Sequence, residues 1–203
     1  MRQLLALAAL LVPATLYGAA PPNPAMTPGH DFLTGQLLIA SPNMGDPRFE
    51  RTVLVMVRHN RDGAMAIVIN RPLGERPLAS VLEAIGENAT DVTGSVPIFA
   101  GGPVELDRGV VLHSADYRRT GTLDIDGRLA LTASVEIIRD IVANTGPKKS
   151  LIAFGYAGWG PGQLESELAV NAWFTAPIEM KLVFDEDREK VWDLAMERRT
   201  RDL

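Results

Sequence analysis

Residues 151–174 read LIAFGYAGWGPGQLESELAVNAWF, and the fold turns on how the glycines in this stretch are interpreted. Ser150 to Phe154 form a short apolar run of the kind that makes a buried strand. Gln163 to Ala172 reads as a helix, with Glu165 and Glu167 as first-turn acids that complement its dipole. Between the two, the glycines predict a loop, because glycine adopts positive φ and lets other backbone approach closely. Strand, glycine turn, helix and a distal acid, Asp185, is also the order found in a dinucleotide fold. The detail disagrees. Gly158, Gly160 and Gly162 give GxGxG instead of GxGxxG, Pro161 removes an N–H that a pyrophosphate needs, and no Lys-Ser/Thr pair follows for a P-loop. The stretch also carries Tyr156 and Trp159, which either line a cleft or cap the core.

Outward from this stretch, strands dominate the first half of the chain. Leu37–Ala40, Thr52–Arg58 and Ala64–Ile69 are rich in β-branched residues and should pair, the last two through a hairpin at HNRDG. Leu78, Val81, Leu82 and Ile85 recur at helical spacing up to Gly86. Val96–Ala100 and Gly109–His113 are strand-like, and Asp126-Gly127 suits a tight hairpin between Thr122–Ile125 and Arg128–Thr132. Ser134 can cap a helix running through Asn144, stopped by Gly146-Pro147. Met180–Phe184 reads as a strand, and a helix from about Asp187 to Arg198 closes the chain on Val191, Leu194 and Ala195. Hairpins outnumber crossovers, so the expected class is α+β: one compact domain with a mixed or antiparallel sheet flanked by helices.

With 203 residues, 46% apolar and 22% charged, the chain suits one folded core. Its net charge of -5 and lack of a Lys/Arg stripe argue against direct nucleic-acid binding. Cysteine is absent, which removes disulfides, thiolate metal sites and cysteine nucleophiles together. His30, His59 and His113 have no acids at ligand spacing, so neither a metal nor a cofactor is expected. Residues 1–20 have the anatomy of a secretory signal peptide: Arg2, an apolar run from Leu4 to Val12 too short to span a bilayer, then Pro13 and small residues. Pro21 after Gly18-Ala19-Ala20 is unfavourable for cleavage, so a non-cleaved extension stands as the alternative. A proline-rich spacer over 21–32 follows, leaving 33–203 as the folded domain.

Three motifs carry a resemblance: GQLLIASPNMGDPRFERTVLVMVRHNRDGAMAIVINRP, FAGGPVELDRGVVLHS and GYAGWGPGQLESELAVNAWFTAP. Together, in this order and spanning about Leu33 to Phe184, they resemble the AlgH/YqgE family. The resemblance implies a single α+β domain built round a strongly curved sheet, without a helix-turn-helix. Members are labelled transcriptional regulators, and the family's biochemical activity is not established. Where relatives commonly carry an acid before His-Asn and before Asn-Ala-Trp, this chain has Arg58 and Val170. The signal-like extension also departs from a family whose usual member is cytoplasmic, so export to the periplasm and residence in the cytoplasm are both open.

Gly101-Gly102-Pro103 is a second glycine turn directly after a strand. If both glycine stretches lie at one sheet edge they frame a groove, with Gly101, Gly102, Pro103, His113, Tyr156, Trp159, Gln163 and Glu165 as candidate ligand- or partner-binding residues. In this arrangement Trp159 forms the groove wall, and Trp159→Ala removes binding with little loss of stability. The leading expectation is a non-enzymatic binding or regulatory module that takes a protein or small-molecule partner. Its competitors are a hydrolase or transferase using His113 with Glu165 or Asp107, and an exported structural or interaction protein.

Overall fold

The computed structural model describes residues 33–200; the signal-like segment and the proline-rich spacer lie outside the described residues. Three antiparallel strands open the domain: β1 (Gln36–Ala40), β2 (Val53–Asn60) and β3 (Gly63–Val68). Between β1 and β2, a single 3₁₀ turn at Pro47–Phe49 is capped by Asp46, whose carboxylate accepts from the Arg48 backbone N–H at 3.0 Å. Then come β4 (Pro72–Pro77), α1 (Leu78–Ala84), β5 (Ser95–Ala100) and β6 (Val104–Ser114). The expected Asp126-Gly127 hairpin joins β7 (Leu123–Asp124) to β8 (Leu129–Thr132) and leads into α2 (Glu136–Val142). The remaining elements are β9 (Ser150–Trp159), α3 (Gln163–Ala169), β10 (Trp173–Pro177), α4 (Met180–Phe184) and α5 (Val191–Glu197).

One curled sheet runs β10-β1-β2-β3-β9-β6-β8-β7, with β5 pairing β9 in parallel and β4 pairing β5. The domain is thus the expected α+β type with a strongly curved sheet. β1 and β2 are buried on both faces, which accounts for apolar runs without alternation. Leu37, Val53, Val55 and Ile67 join one large cluster that also takes Leu112 of β6 and Leu151 of β9, closed by α4 and α5. Leu38, Leu54, Met56 and Ala66 face a second cluster with Trp159, Leu164 and Trp173. A third, under α1 and α2, gathers Leu82, Ile98, Ile137, Ile138 and Ile152.

The main correction concerns the glycine stretch. Residues 155–159 are not a loop but the continuation of β9, which first runs between β5 and β6 and then pairs Ala157, Gly158 and Trp159 with β3. Gly155, at φ 74, is the kink between these halves. The glycines serve close approach. A Cβ on Gly101 would lie 2.3 Å from the Gly155 carbonyl oxygen, and one on Gly102 would lie 2.0 Å from the Tyr156 carbonyl carbon. The end of β5 therefore crosses β9 backbone against backbone. Two hydrogen bonds fix the crossing: Gly101 donates to the Phe154 carbonyl at 2.7 Å, and Val68 of β3 donates to the Gly101 carbonyl at 2.8 Å.

Other elements also depart from expectation. Met180–Phe184 is helical, not extended; Arg188 donates to the Val183 carbonyl at 2.9 Å and caps the short helix at its end. Helix α3 stops at Ala169, because Asn171 takes φ 54 and turns the chain into β10. α2 begins at Glu136 with no side-chain cap, so Ser134 does not cap its N-terminus.

Gly102→Ala is expected to destabilise the domain by at least about 3 kcal/mol, a Tm loss of roughly 6–12 °C for a domain of this size. Gly160→Ala, whose added Cβ meets nothing within 4 Å, should leave Tm nearly unchanged. Thermal unfolding of the two variants side by side checks this.

Candidate functional site

At the C-terminal end of β9 the strand delivers Trp159 into the second core cluster, and β10 delivers Trp173 beside it. The two indoles meet edge to face at 5.9 Å between centroids. Phe49, on the 3₁₀ turn, completes the group at 5.3 Å from Trp173 and 6.5 Å from Trp159. A buried indole N–H needs an acceptor, and here one carboxylate serves both. Glu167 Oε2 accepts from Trp159 Nε1 at 2.8 Å and from Trp173 Nε1 at 2.7 Å, while its Oε1 accepts from the Gln163 amide at 3.0 Å. Helix α3 sets this up, since Gln163 and Glu167 stand one turn apart on its surface.

This cluster backs a recess of about 740 Å³ lined by Asp46, Arg48 and Phe49 from the turn, Pro103 and Val104 from the β5–β6 connection, and Trp159, Gln163, Glu167 and Asn171. Asp46 and Arg48 pair at its rim with a 2.6 Å salt bridge, and that hydrogen-bonded guanidinium holds the Asp46 carboxyl below its ordinary value. Pro103, Trp159 and Gln163 thus meet in one place, as two glycine stretches at one edge would require. Trp159 is nevertheless only 7% exposed, and Trp173 only 2%. Trp159 is a core residue whose edge reaches the recess, and its removal cannot spare stability.

The remaining candidates lie elsewhere. Gly101 and Gly102 form the β5–β9 crossing. Tyr156 donates its hydroxyl to Glu105 at 3.1 Å, above the bulge that loops residues 105–108 out of β6. Glu165 accepts from His59 Nε2 at 3.0 Å, with the tautomer set by the Leu33 N–H, which donates to Nδ1 at 3.1 Å. His113 is fully buried on β6. Its Nδ1 lies 2.9 Å from the Ser114 carbonyl and its Nε2 2.9 Å from the Thr132 hydroxyl, so both ring nitrogens are engaged. Burial pushes its pKa below the ordinary histidine value, against the opposing pull of the Ser114 carbonyl. Neither Glu165 nor Asp107 bonds to it, so the proposed acid–base pairing is not assembled. Among the described residues, no His/Cys/Asp/Glu group could hold a metal ion and no helix is long and apolar enough to cross a membrane.

A family model described as AlgH-like matches residues 37–203. The chain belongs to this family. A UPF0301 protein of Rhodospirillum rubrum is 44% identical over 86% of this chain and 92% of its own length. One from Jannaschia sp. is 47% identical, covering 83% and 88%. Among solved structures, the solution structure of AlgH from Pseudomonas aeruginosa is similar at TM-score 0.73 and 43% identity, covering 85% of this chain and 91% of that one. A crystal structure of a Corynebacterium diphtheriae protein, at 22% identity and TM-score 0.64, shares the fold. The AlgH-like fold thus extends over the described domain, and the recess is built from all three motifs that carried the resemblance.

Phe49 and Trp173 lie in the motifs that carry the resemblance but are not among the candidate site residues, and Glu167 is not singled out for the site. Glu167 looked like an ordinary first-turn acid; the signal that could have found it is its position between Trp159 and Trp173 in a stretch that must bury both. Glu167→Ala should lower stability by about 2–4 kcal/mol by leaving two indole N–H groups without an acceptor, and Glu167→Gln by less than half as much. Trp159→Ala should lower it by about 3–5 kcal/mol. Urea unfolding followed by tryptophan fluorescence reads the order directly.

Proposed function

We propose that the protein is a non-enzymatic binding module that takes a small molecule or a partner's side chain in the recess between the 3₁₀ turn and α3. The observation that carries this reading is the fixed aromatic wall. Trp159 and Trp173 are held by one carboxylate and Phe49 packs against both rings, while Gln163, Asn171 and the Asp46–Arg48 pair offer polar groups at the mouth. An apolar wall with a few convergent polar groups is the usual form of a ligand site. The engaged ring nitrogens of His113 favour binding over turnover. The net charge of -5 favours a protein or small-molecule partner over the nucleic-acid backbone, so any effect on transcription is indirect. The signal-like residues 1–20 support a site of action outside the cytoplasm, against the cytoplasmic location that the family resemblance implies.

Native mass spectrometry of the full chain purified from its host tests both parts. The intact mass reports whether the N-terminal segment is removed. A non-covalent adduct should be present and should fall at least about tenfold in the Phe49→Ala/Gln163→Ala double variant. An adduct unaffected by that variant, or a covalently altered small molecule released with turnover, would contradict the proposal.

A further inference from the structure

On the other side of the 3₁₀ turn lies a smaller recess of about 370 Å³, lined by Arg51, Arg71 and Arg188 together with Asn70 and Trp192. The three arginines come from distant parts of the chain: the residues before β2, the β3–β4 connection and the segment between α4 and α5. Convergence of this kind is unexpected in a chain with 25 acids and 20 bases.

Each guanidinium is positioned by contacts that leave donors unused. Arg51 lies over the Trp192 ring at 4.2 Å and bonds Asp193 at 2.7 Å. Its backbone sits at φ 49, where non-glycine residues are uncommon. Asn70 stabilises this conformation: its Nδ2 donates to the Arg51 carbonyl at 2.9 Å, and its Oδ1 accepts from the Val53 N–H at 2.9 Å. Arg71 spends only Nη2, on the Glu50 carbonyl and on the Thr52 hydroxyl at 3.1 Å. Arg188 spends only Nη1, on the Val183, Ile69 and Leu182 carbonyls at 2.9, 3.3 and 3.4 Å. A guanidinium carries five N–H donors. Nε and Nη1 of Arg71, and Nε and Nη2 of Arg188, have no partner among the described residues. Neither residue forms a salt bridge with a described carboxylate. Burial pushes the Arg188 pKa below its ordinary value, while Asp185, Glu186 and Asp187 oppose the shift through space. Arg188 is half-buried, hydrogen-bonded only to carbonyl oxygens and lies 6.0 Å over the Phe99 ring, and such a cation gains from an anion brought to it.

We propose that this recess is a binding site for a phosphate group, as inorganic phosphate or as the phosphomonoester of a small metabolite. A carboxylate presents two oxygens in one plane and is matched by a single guanidinium fork. Cations arriving from three chain segments suit an anion whose oxygens point in several directions. Glu50 and Glu189 line the exposed rim and oppose diffuse attraction of anions. Binding therefore depends on direct contact with the arginine donors and is weak for bare phosphate. The site is separate from the aromatic recess, and either can fail without the other.

The test is NMR of the arginine Nε–Hε and tryptophan indole signals of the full chain, titrated with inorganic phosphate or with acetate at constant ionic strength. Phosphate should give saturable shifts confined to Arg51, Arg71, Arg188 and Trp192, and acetate should not saturate. R71Q should weaken phosphate binding at least about tenfold. R51Q should do the same, and it covers the case in which loss of the Glu50 contact perturbs R71Q; unchanged Tm and circular dichroism confirm the fold of each. Shifts that drift linearly across all arginines, phosphate affinity unaltered in both variants, or equal saturation by acetate would overturn the assignment. Glycerol 3-phosphate as a third titrant separates the two sources. Tighter binding than phosphate points to a phosphomonoester, and equal binding points to phosphate itself.

Discussion

Two backbones cross without side chains between them where Gly101-Gly102 follow β5 and β9 kinks at Gly155. Backbone polar groups must be paired when buried, and such close contact is tolerated only where no Cβ intrudes. The Gly101 carbonyl and N–H connect β3 on one side to β9 on the other, so the crossing joins two parts of the sheet that differ in topology. One part is an antiparallel set made of β10, β1, β2 and β3; the other packs β6 and β5 on either flank of β9. The aromatic recess inherits this junction. Pro103 enters the aromatic recess because it follows Gly102, and Trp159 enters because β9 continues past Gly155 to pair with β3.

The 3₁₀ turn at Pro47–Phe49 is the second organising feature. Asp46 caps it, Asn70 and Arg71 brace the residues that follow, and it forms a wall between the two recesses. Phe49 faces the aromatic side, whereas Pro47, Glu50 and Arg51 face the arginine side. A short turn can hold a residue such as Arg51 in the left-handed region only if neighbouring groups over-determine it, and the Asn70 amide does so from both of its ends. Local strain and a basic cluster with unused guanidinium donors coincide at one recess, as expected of a binding surface more than of a purely structural turn.

Much of the fold was legible in the chain. The runs that became β1, β2 and β3 carry enough β-branched and apolar residues to exclude other readings, and Asp126-Gly127 specified its hairpin unaided. β4 was not legible, because PLGERP is exposed throughout and bounded by prolines, a composition that reads as loop. Residues 155–159 were misread because glycine signals both a turn and a close approach, and only the partner strand tells the two apart. In the site, Pro103, Trp159 and Gln163 meet under the condition the glycine stretches set, that both lie at one sheet edge, whereas Glu165 bonds to His59 and His113 is buried on β6. The arginine cluster left no local trace, since residues 51, 71 and 188 meet only through tertiary structure.

The claim that the glycine crossing holds the domain together is tested most directly by native-state hydrogen exchange at two amides, Gly101 and Val68. The account predicts that both exchange only through global unfolding, with the same free energy as the slowest amides of β2. Exchange of either through a local opening well below that free energy, while β2 remains protected, would show that the two parts of the sheet separate independently and would contradict the account.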